Sequence, residues 1–405
     1  MDAENKEFNR RKFAENKFVN AENRPYIYRI IAENKMARYI HQQKNWPDFT
    51  WDHELLLPVL SALRYKQGRL KGYMEVLGFN QRNESTLVTL TQDVLKSSEI
   101  EGEVLNPEQV RSSIARKLGL DVAGLVPADR HVDGVVEMML DATQNYHKPL
   151  SQERLFGWHA ALFPNGRSGM FKIKVAAWRD HEKGPMQVVS GAMGKERVHY
   201  EAPDAGRLAK EMKVFLKWFN SSATTDLVLK SAIAHFWFVS IHPFDDGNGR
   251  IARAIADMVL AKADADKQRF YSMSAQIRLQ RKAYYEVLEK NQRGQLDIST
   301  WLLWYMNCLD KALNASDVVV KRVLTKSKFW DEHAARAINE RQRLMINKLF
   351  DGFEGKLNSS KWAKIAKCSA DTALRDIQDL IKKKILLKEE AGGRSTTYVL
   401  RVMGK

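Results

Sequence analysis

His242, Asp246, Gly247, Asn248, Gly249, Arg250 and Arg253 all fall within one stretch, HPFDDGNGRIAR. An imidazole titrates near neutral pH and can take a proton. A carboxylate beside phosphates can hold Mg²⁺. Glycines at a helix start let a large anion approach backbone N–H groups that have no partner inside the helix. Arg250 and Arg253, three apart, share the first helical turn and supply charge for a polyphosphate. A plain corner between helices, with a capping aspartate and a satisfied histidine, accounts for any one of these residues. It does not account for all of them together, and the set suits attack of a hydroxyl on a nucleotide phosphate.

Two helices must position this set. The apolar run SAIAHFWFVSIH precedes it and the amphipathic GRIARAIADMVLAKA follows, so the second helix should begin at about Asn248 or Gly249. Upstream, DHELLLPVLSALRYKQGRLKGYMEVLGF reads as a helix ending near Gly78. ESTLVTLTQDVLKSSEIEGE reads as another ending near Gly102, and Asn106 before Pro107 is an apt N-cap for a third. The helical pattern breaks between about Lys172 and Tyr200, where β-branched residues and glycines suggest a β-hairpin. Helices then resume through DISTWLLWYMNCLDKAL. Tyr284, Tyr285 and Asn291 are candidates for contact with a nucleoside, although paired aromatics on a helix also serve as core.

The chain has 405 residues, enough for two or three domains, and two cysteines, Cys308 and Cys368. Two thiols cannot build a disulfide framework or a four-thiolate zinc site. With no uninterrupted apolar run of membrane-spanning length and no secretory pattern at the start, the expectation is a cytoplasmic protein with no membrane partner. The first 35 residues repeat AEN at Ala3, Ala14, Ala21 and Ala32, which fits either a native helical extension or an expression leader.

The formal charge is +16, and residues 341–405 hold 15 Lys and Arg against 7 Asp and Glu. There, RQRLMINKLF, NSSKWAKIAKCS and SADTALRDIQDLIKKKIL read as three helices. LLKEEAGGRSTTYVLRV reads as a hairpin around a Gly-Gly turn. That order resembles a winged helix-turn-helix, whose third helix, capped by Ser369 or Asp371, would enter a major groove while the turn touches phosphates. Only Arg375 is basic early in that helix, with Asp376 and Asp379 nearby. The tail therefore suits protein contacts or a homodimer as well as DNA.

HPFDDGNGRIAR matches the Fic family signature HPFx(D/E)GNGRxxR at every fixed position. The resemblance covers roughly residues 130–305. It implies a mainly α Fic-type helical bundle with a β-hairpin flap, with the winged-helix-like domain appended. It also implies transfer of AMP from ATP, with Mg²⁺, to a Ser, Thr or Tyr hydroxyl of a target protein or of the chain itself. By the same resemblance His242 is the base and Asp246 the magnesium ligand. Gly247, Asn248, Gly249 and Arg250 form the phosphate cradle, and Arg253 binds the γ-phosphate. Phe244 reads as a packing anchor. The Doc branch, a phosphoryl-transferring relative, carries lysine where Gly249 stands, which argues here for nucleotidyl transfer. Residues 172–200 would be the flap that docks the target by strand addition, or an ordinary hairpin closing the core.

LKSSEIEGE resembles the family's inhibitory motif (S/T)xxxE(G/N), with Ser97, Glu101 and Gly102 at its fixed positions. The resemblance implies that Glu101 pairs with Arg253 and blocks productive placement of the γ-phosphate, with Ser97 steadying Glu101 or its helix. It also implies that Glu101 can position a water to remove AMP from modified targets. The expected organisation is an extension over 1–35, an inhibitory helical region over 36–125, a catalytic domain over 126–315 and the winged-helix-like part over 335–405. The competing reading is a DNA-binding regulator that uses the nucleotide pocket as a sensor.

Overall fold

A computed structural model describes residues 37–401 apart from 76–77, 123, 183, 192–194, 223–224, 351–352, 354 and 390–395. The AEN repeat and the Gly-Gly turn of the C-terminal hairpin lie outside the described residues. Helices dominate: α1 (His53–Glu75), α2 (Phe79–Ile100), α3 (Pro107–Lys117), α4 (Arg130–Gln144) and α5 (Gln152–Leu162) come first. Two short antiparallel pairs follow, β1 (Arg167–Ser168) with β2 (Phe171–Lys172) and β3 (Gln187–Ser190) with β4 (Arg197–Glu201). The chain continues through α6 (Leu208–Asn220), α7 (Leu227–Ile241), α8 (Asn248–Asp264), α9 (Met273–Leu279), α10 (Arg281–Gln292) and α11 (Ser299–Glu332). It ends with α12 (Glu340–Phe350), α13 (Ser359–Ile365), α14 (Ala370–Lys382) and the pair β5 (Leu386–Lys388) and β6 (Tyr398–Leu400).

The fold is built around α7. Every residue from Val228 to Ile241 on it is buried, as expected of a helix that is apolar around its whole circumference. α8 packs along it, and α4, α5, α2 and α11 complete the surround. One apolar core runs from Ile40 to Val320, so the inhibitory region and the catalytic body share it. α2 is tied in by Asp93, whose Oδ1 accepts from the Ser272 hydroxyl at 2.5 Å and from the Ser274 amide at 3.3 Å. Burial, together with the neighbouring Asp257, pushes the Asp93 carboxyl up to about 7. No helix among the described residues is long and apolar enough to cross a membrane.

The hairpin expected over 172–200 is the β3–β4 pair, which begins only at Gln187. The β1–β2 pair precedes it, where Gly169 (φ +53°) closes a tight turn that pairs Ser168 with Phe171. The helix expected over DISTWLLWYMNCLDKAL runs further: α11 continues unbroken from the main core, where Trp301 and Leu309 are buried, to Phe329 of a second core.

That second core gathers Met345, Ile346, Trp362, Ile377, Leu386 and Tyr398, and its elements follow the order helix, short helix, longer helix, strand pair. Ser369 caps α14, accepting from the Thr372 amide at 3.2 Å. The carboxylate of Asp376 is spent inside this unit on Arg341 and Asn339. Arg375 is exposed.

Candidate functional site

α7 ends at His242, which adopts the left-handed conformation (φ 51°, ψ 59°) and donates its amide to the Phe238 carbonyl at 3.0 Å. A non-glycine residue held there costs roughly 1–2 kcal/mol, so its surroundings must enforce it. Arg179 does so: its Nε donates to the His242 carbonyl at 2.8 Å and its amide to the Pro243 carbonyl at 2.9 Å. The His242 ring is half-buried and its Nδ1 lies 3.2 Å from the Val239 carbonyl. A carbonyl can only accept, so Nδ1 carries the proton and Nε2 keeps its lone pair. Burial lowers the His242 pKa below 6.5, aided by Arg179 and opposed by the Val239 contact, Asp246 and Glu101. At neutral pH the ring is an unprotonated base.

The loop after His242 is fixed by its own side chains. Phe244 is fully buried and stacks on His159 at 4.2 Å, so the packing role expected of it holds. Asn248 accepts from the Phe244 amide at 3.0 Å and donates to its carbonyl at 2.8 Å. Its side chain therefore shapes the cradle, leaving its backbone to face a ligand. His159 takes the Ala176 N–H at Nδ1, so its Nε2 donates to the Asp246 carbonyl at 3.2 Å. Gly247 has φ +80°, and a Cβ there would meet the Phe163 ring at 2.9 Å. Gly247→Ala should therefore cost ~1–3 kcal/mol of stability, measured as a lower denaturation midpoint; an unchanged midpoint would contradict this geometry.

α8 starts at Asn248, as the residues predict, and both arginines are buried within its first two turns. Arg253 donates from Nε to the Ser97 hydroxyl and from Nη2 to the Ser97 carbonyl, each at 2.9 Å. Nη2 also lies 2.8 Å from Glu101 Oε1. Ser97 thus holds the arginine, where the sequence suggested that it would steady Glu101. The Glu101 carboxylate sits so close to the helix start that a Cβ on Gly249 would lie 2.1 Å from Oε1. A carboxylate thus sits beside Arg253 and against the start of α8.

At the start of α8 two buried guanidinium donors have no hydrogen-bond partner among the described residues: Nη1 of Arg253 and Nε of Arg250. Unmet buried donors are uncommon, and an arriving anion would satisfy them. Asp246 accepts from the Gly247 amide at 2.6 Å and from the Ser168 hydroxyl. No group of three or more His, Cys, Asp or Glu side chains suited to a metal occurs among the described residues. A lone carboxylate fits Mg²⁺, which takes most of its ligands from water and substrate phosphates.

The two tyrosines divide. Tyr284 is core, 2% exposed, with its hydroxyl 2.9 Å from His235 Nε2. Tyr285 lies at the rim, its hydroxyl donating to the Ile100 carbonyl at 3.3 Å. Asn291 is buried and donates to the Val287 carbonyl of its own helix at 2.7 Å. Sequence reasoning missed Arg179, His159, Ser168, Glu103 and His131. None lies in the signature, and only the fold brings them to it.

Residues 149–260 match the Fic/DOC family model. The chain carries a Fic/DOC family domain over those residues. Residues 39–120 match a second model, a domain of unknown function, DUF4172. Among curated relatives, protein adenylyltransferase Fic of Drosophila sechellia and that of Drosophila melanogaster are each 35% identical over 114 residues. The match takes in 28% of this chain and only 22% of each relative's own length. A crystal structure of a Fic family protein from Desulfovibrio desulfuricans G20 has a like fold, with TM-score 0.50 at 18% identity over 89% of this chain and 99% of that one.

Proposed function

We propose that the chain transfers AMP from ATP to a hydroxyl side chain of a protein, and that Glu101 holds this activity down. The observation that carries the reading is the start of α8: Arg253 and the Gly249 cradle face an anion position, and an internal carboxylate fills it. The names of the partial relatives support the same chemistry.

In this reading the triphosphate displaces Glu101. Its oxygens then meet the free N–H groups at the start of α8, Arg253 Nη1 and Arg250 Nε. Asp246 would hold Mg²⁺, which supplies charge neutralisation on the phosphates. His242 Nε2 takes the proton of the incoming hydroxyl. The hydroxyl oxygen bonds to the α-phosphorus, the bond from that phosphorus to the bridging oxygen breaks, and pyrophosphate leaves with the electron pair. The β3–β4 pair, fastened to α10 by Arg197 and His199 on Glu289, is the surface that would guide a target segment.

The test uses Glu101→Gly protein with ATP labelled at either the α- or the γ-phosphate. Label should pass to protein only from the α-position, and chelating Mg²⁺ should stop it. Transfer from the γ-position would make the protein a kinase and sink the reading.

A further inference from the structure

The loop that follows α2 carries two acids, and the blocking contact uses only the first. Two residues after Glu101, Glu103 Oε2 lies 2.8 Å from Nη1 of Arg250 on α8. Its other oxygen lies 2.5 Å from Nε2 of His131 on α4. We propose that Glu103 is a latch: by bridging Arg250 and His131 it fastens the loop that presses Glu101 against α8. It is thus a positioning residue for the inhibitory carboxylate. The proposal rests on the reading of Glu101 as a brake.

The loop transmits position because it is one tight turn. The amides of Glu101 and Glu103 both donate to the Ser98 carbonyl at 3.0 Å, with Gly102 between them at φ +87°. Glu103 cannot move far without carrying Glu101 with it. Its anchors are firm: Arg250 is 5% exposed, with its guanidinium 5.1 Å from the centre of the Phe163 ring. Glu101 itself is about one-third exposed, so its own contact with Arg253 leaves it a way out.

The latch also responds to pH. The charged groups facing His131 are Glu103 from the loop and Arg250 from α8. The Glu103 carboxylate, 2.5 Å away, raises the His131 pKa above 6.5 against burial and Arg250. Burial alone would raise the Glu103 carboxyl, but His131 and Arg250 bring it below its ordinary value. A raised histidine pKa means the ion pair is complete at low pH and is lost as pH rises through that pKa. The brake should therefore ease toward alkaline pH.

The experiment compares α-label incorporation by the unaltered chain, Glu103→Gln, His131→Asn, Glu101→Gly and Glu101→Gly/Glu103→Gln. Glu103→Gln should speed the unaltered chain about fivefold, yet change the Glu101→Gly rate less than about twofold, since there is then nothing to latch. Taken above neutral pH, where burial keeps His242 unprotonated in both forms, the ratio of the unaltered rate to the Glu101→Gly rate is free of the His242 titration. It should climb with pH, and His131→Asn should flatten it.

If Glu103→Gln slows both backgrounds alike, Glu103 serves only to hold Arg250 for the substrate and the latch is wrong. If Glu103→Gln leaves the unaltered chain unchanged while Glu101→Gly is fast, the latch fails and the brake stands. If Glu101→Gly is no faster than the unaltered chain, the brake reading falls and the latch falls with it.

Discussion

Glu101→Gly is expected to raise AMP incorporation about ten- to a hundredfold over the unaltered chain, read as α-label on protein. The magnitude follows from what the carboxylate holds. Arg253 is fully buried, and Glu101 supplies its opposite charge at 2.8 Å. Charge-assisted contacts with a desolvated partner are the strong ones, and on the proposed function a triphosphate would have to displace this one before its γ-phosphate could reach Arg253. Removing the carboxylate leaves the Ser97 contacts that hold the arginine in place. The backbone at residue 101 (φ −85°, ψ 2°) admits glycine without strain, so the variant should fold. Equal labelling by the two forms would show that Glu101 does not restrain the reaction.

His242→Ala, made in the Glu101→Gly background, is expected to lower transfer by about 10²–10⁴-fold while MgATP binding survives. The ring is placed by a left-handed backbone and the Arg179 clamp, and its tautomer by the Val239 carbonyl. Together they leave Nε2 as the free base. His242→Asn is the companion variant, because asparagine tolerates the left-handed conformation better than alanine does. A similar loss in both variants ties the effect to the imidazole and not to a disturbed loop. Because burial holds the His242 pKa below 6.5, the Glu101→Gly rate should stay high through neutral pH and fall only on the acid side of 6.5. Transfer that persists without the imidazole would remove the base from the mechanism.

What could be read from the residues, and what could not, has a physical pattern. The signature was legible because its roles are carried by residue type at fixed short spacing, and α8 begins at Asn248 as that spacing requires. Caps were legible for the same reason: Asn106 accepts from the Glu108 and Gln109 amides, and Ser369 from Thr372. Partners far apart in sequence were not. Arg179 reaches a carbonyl sixty-three residues away, and Glu103 reaches Arg250 across one hundred and forty-seven. Nothing in local pattern marks such a pair, since an exposed acid at a helix end looks the same with or without its arginine. The unbroken length of α11 was missed because polar residues on its solvent face hide a periodicity that continues through Val320, Val323 and Phe329.

The central claim is that the start of α8 is a site for the γ-phosphate of ATP and that Glu101 stands in for it. Calorimetric titration of MgATP into Glu101→Gly/His242→Ala protein, with and without Arg253→Met, tests this most directly, because no turnover blurs the reading. Loss of the guanidinium should weaken binding by about tenfold or more, and ADP, which has no γ-phosphate, should bind alike to both forms. If ATP binds equally well without Arg253, the carboxylate is not a phosphate mimic and the account is contradicted.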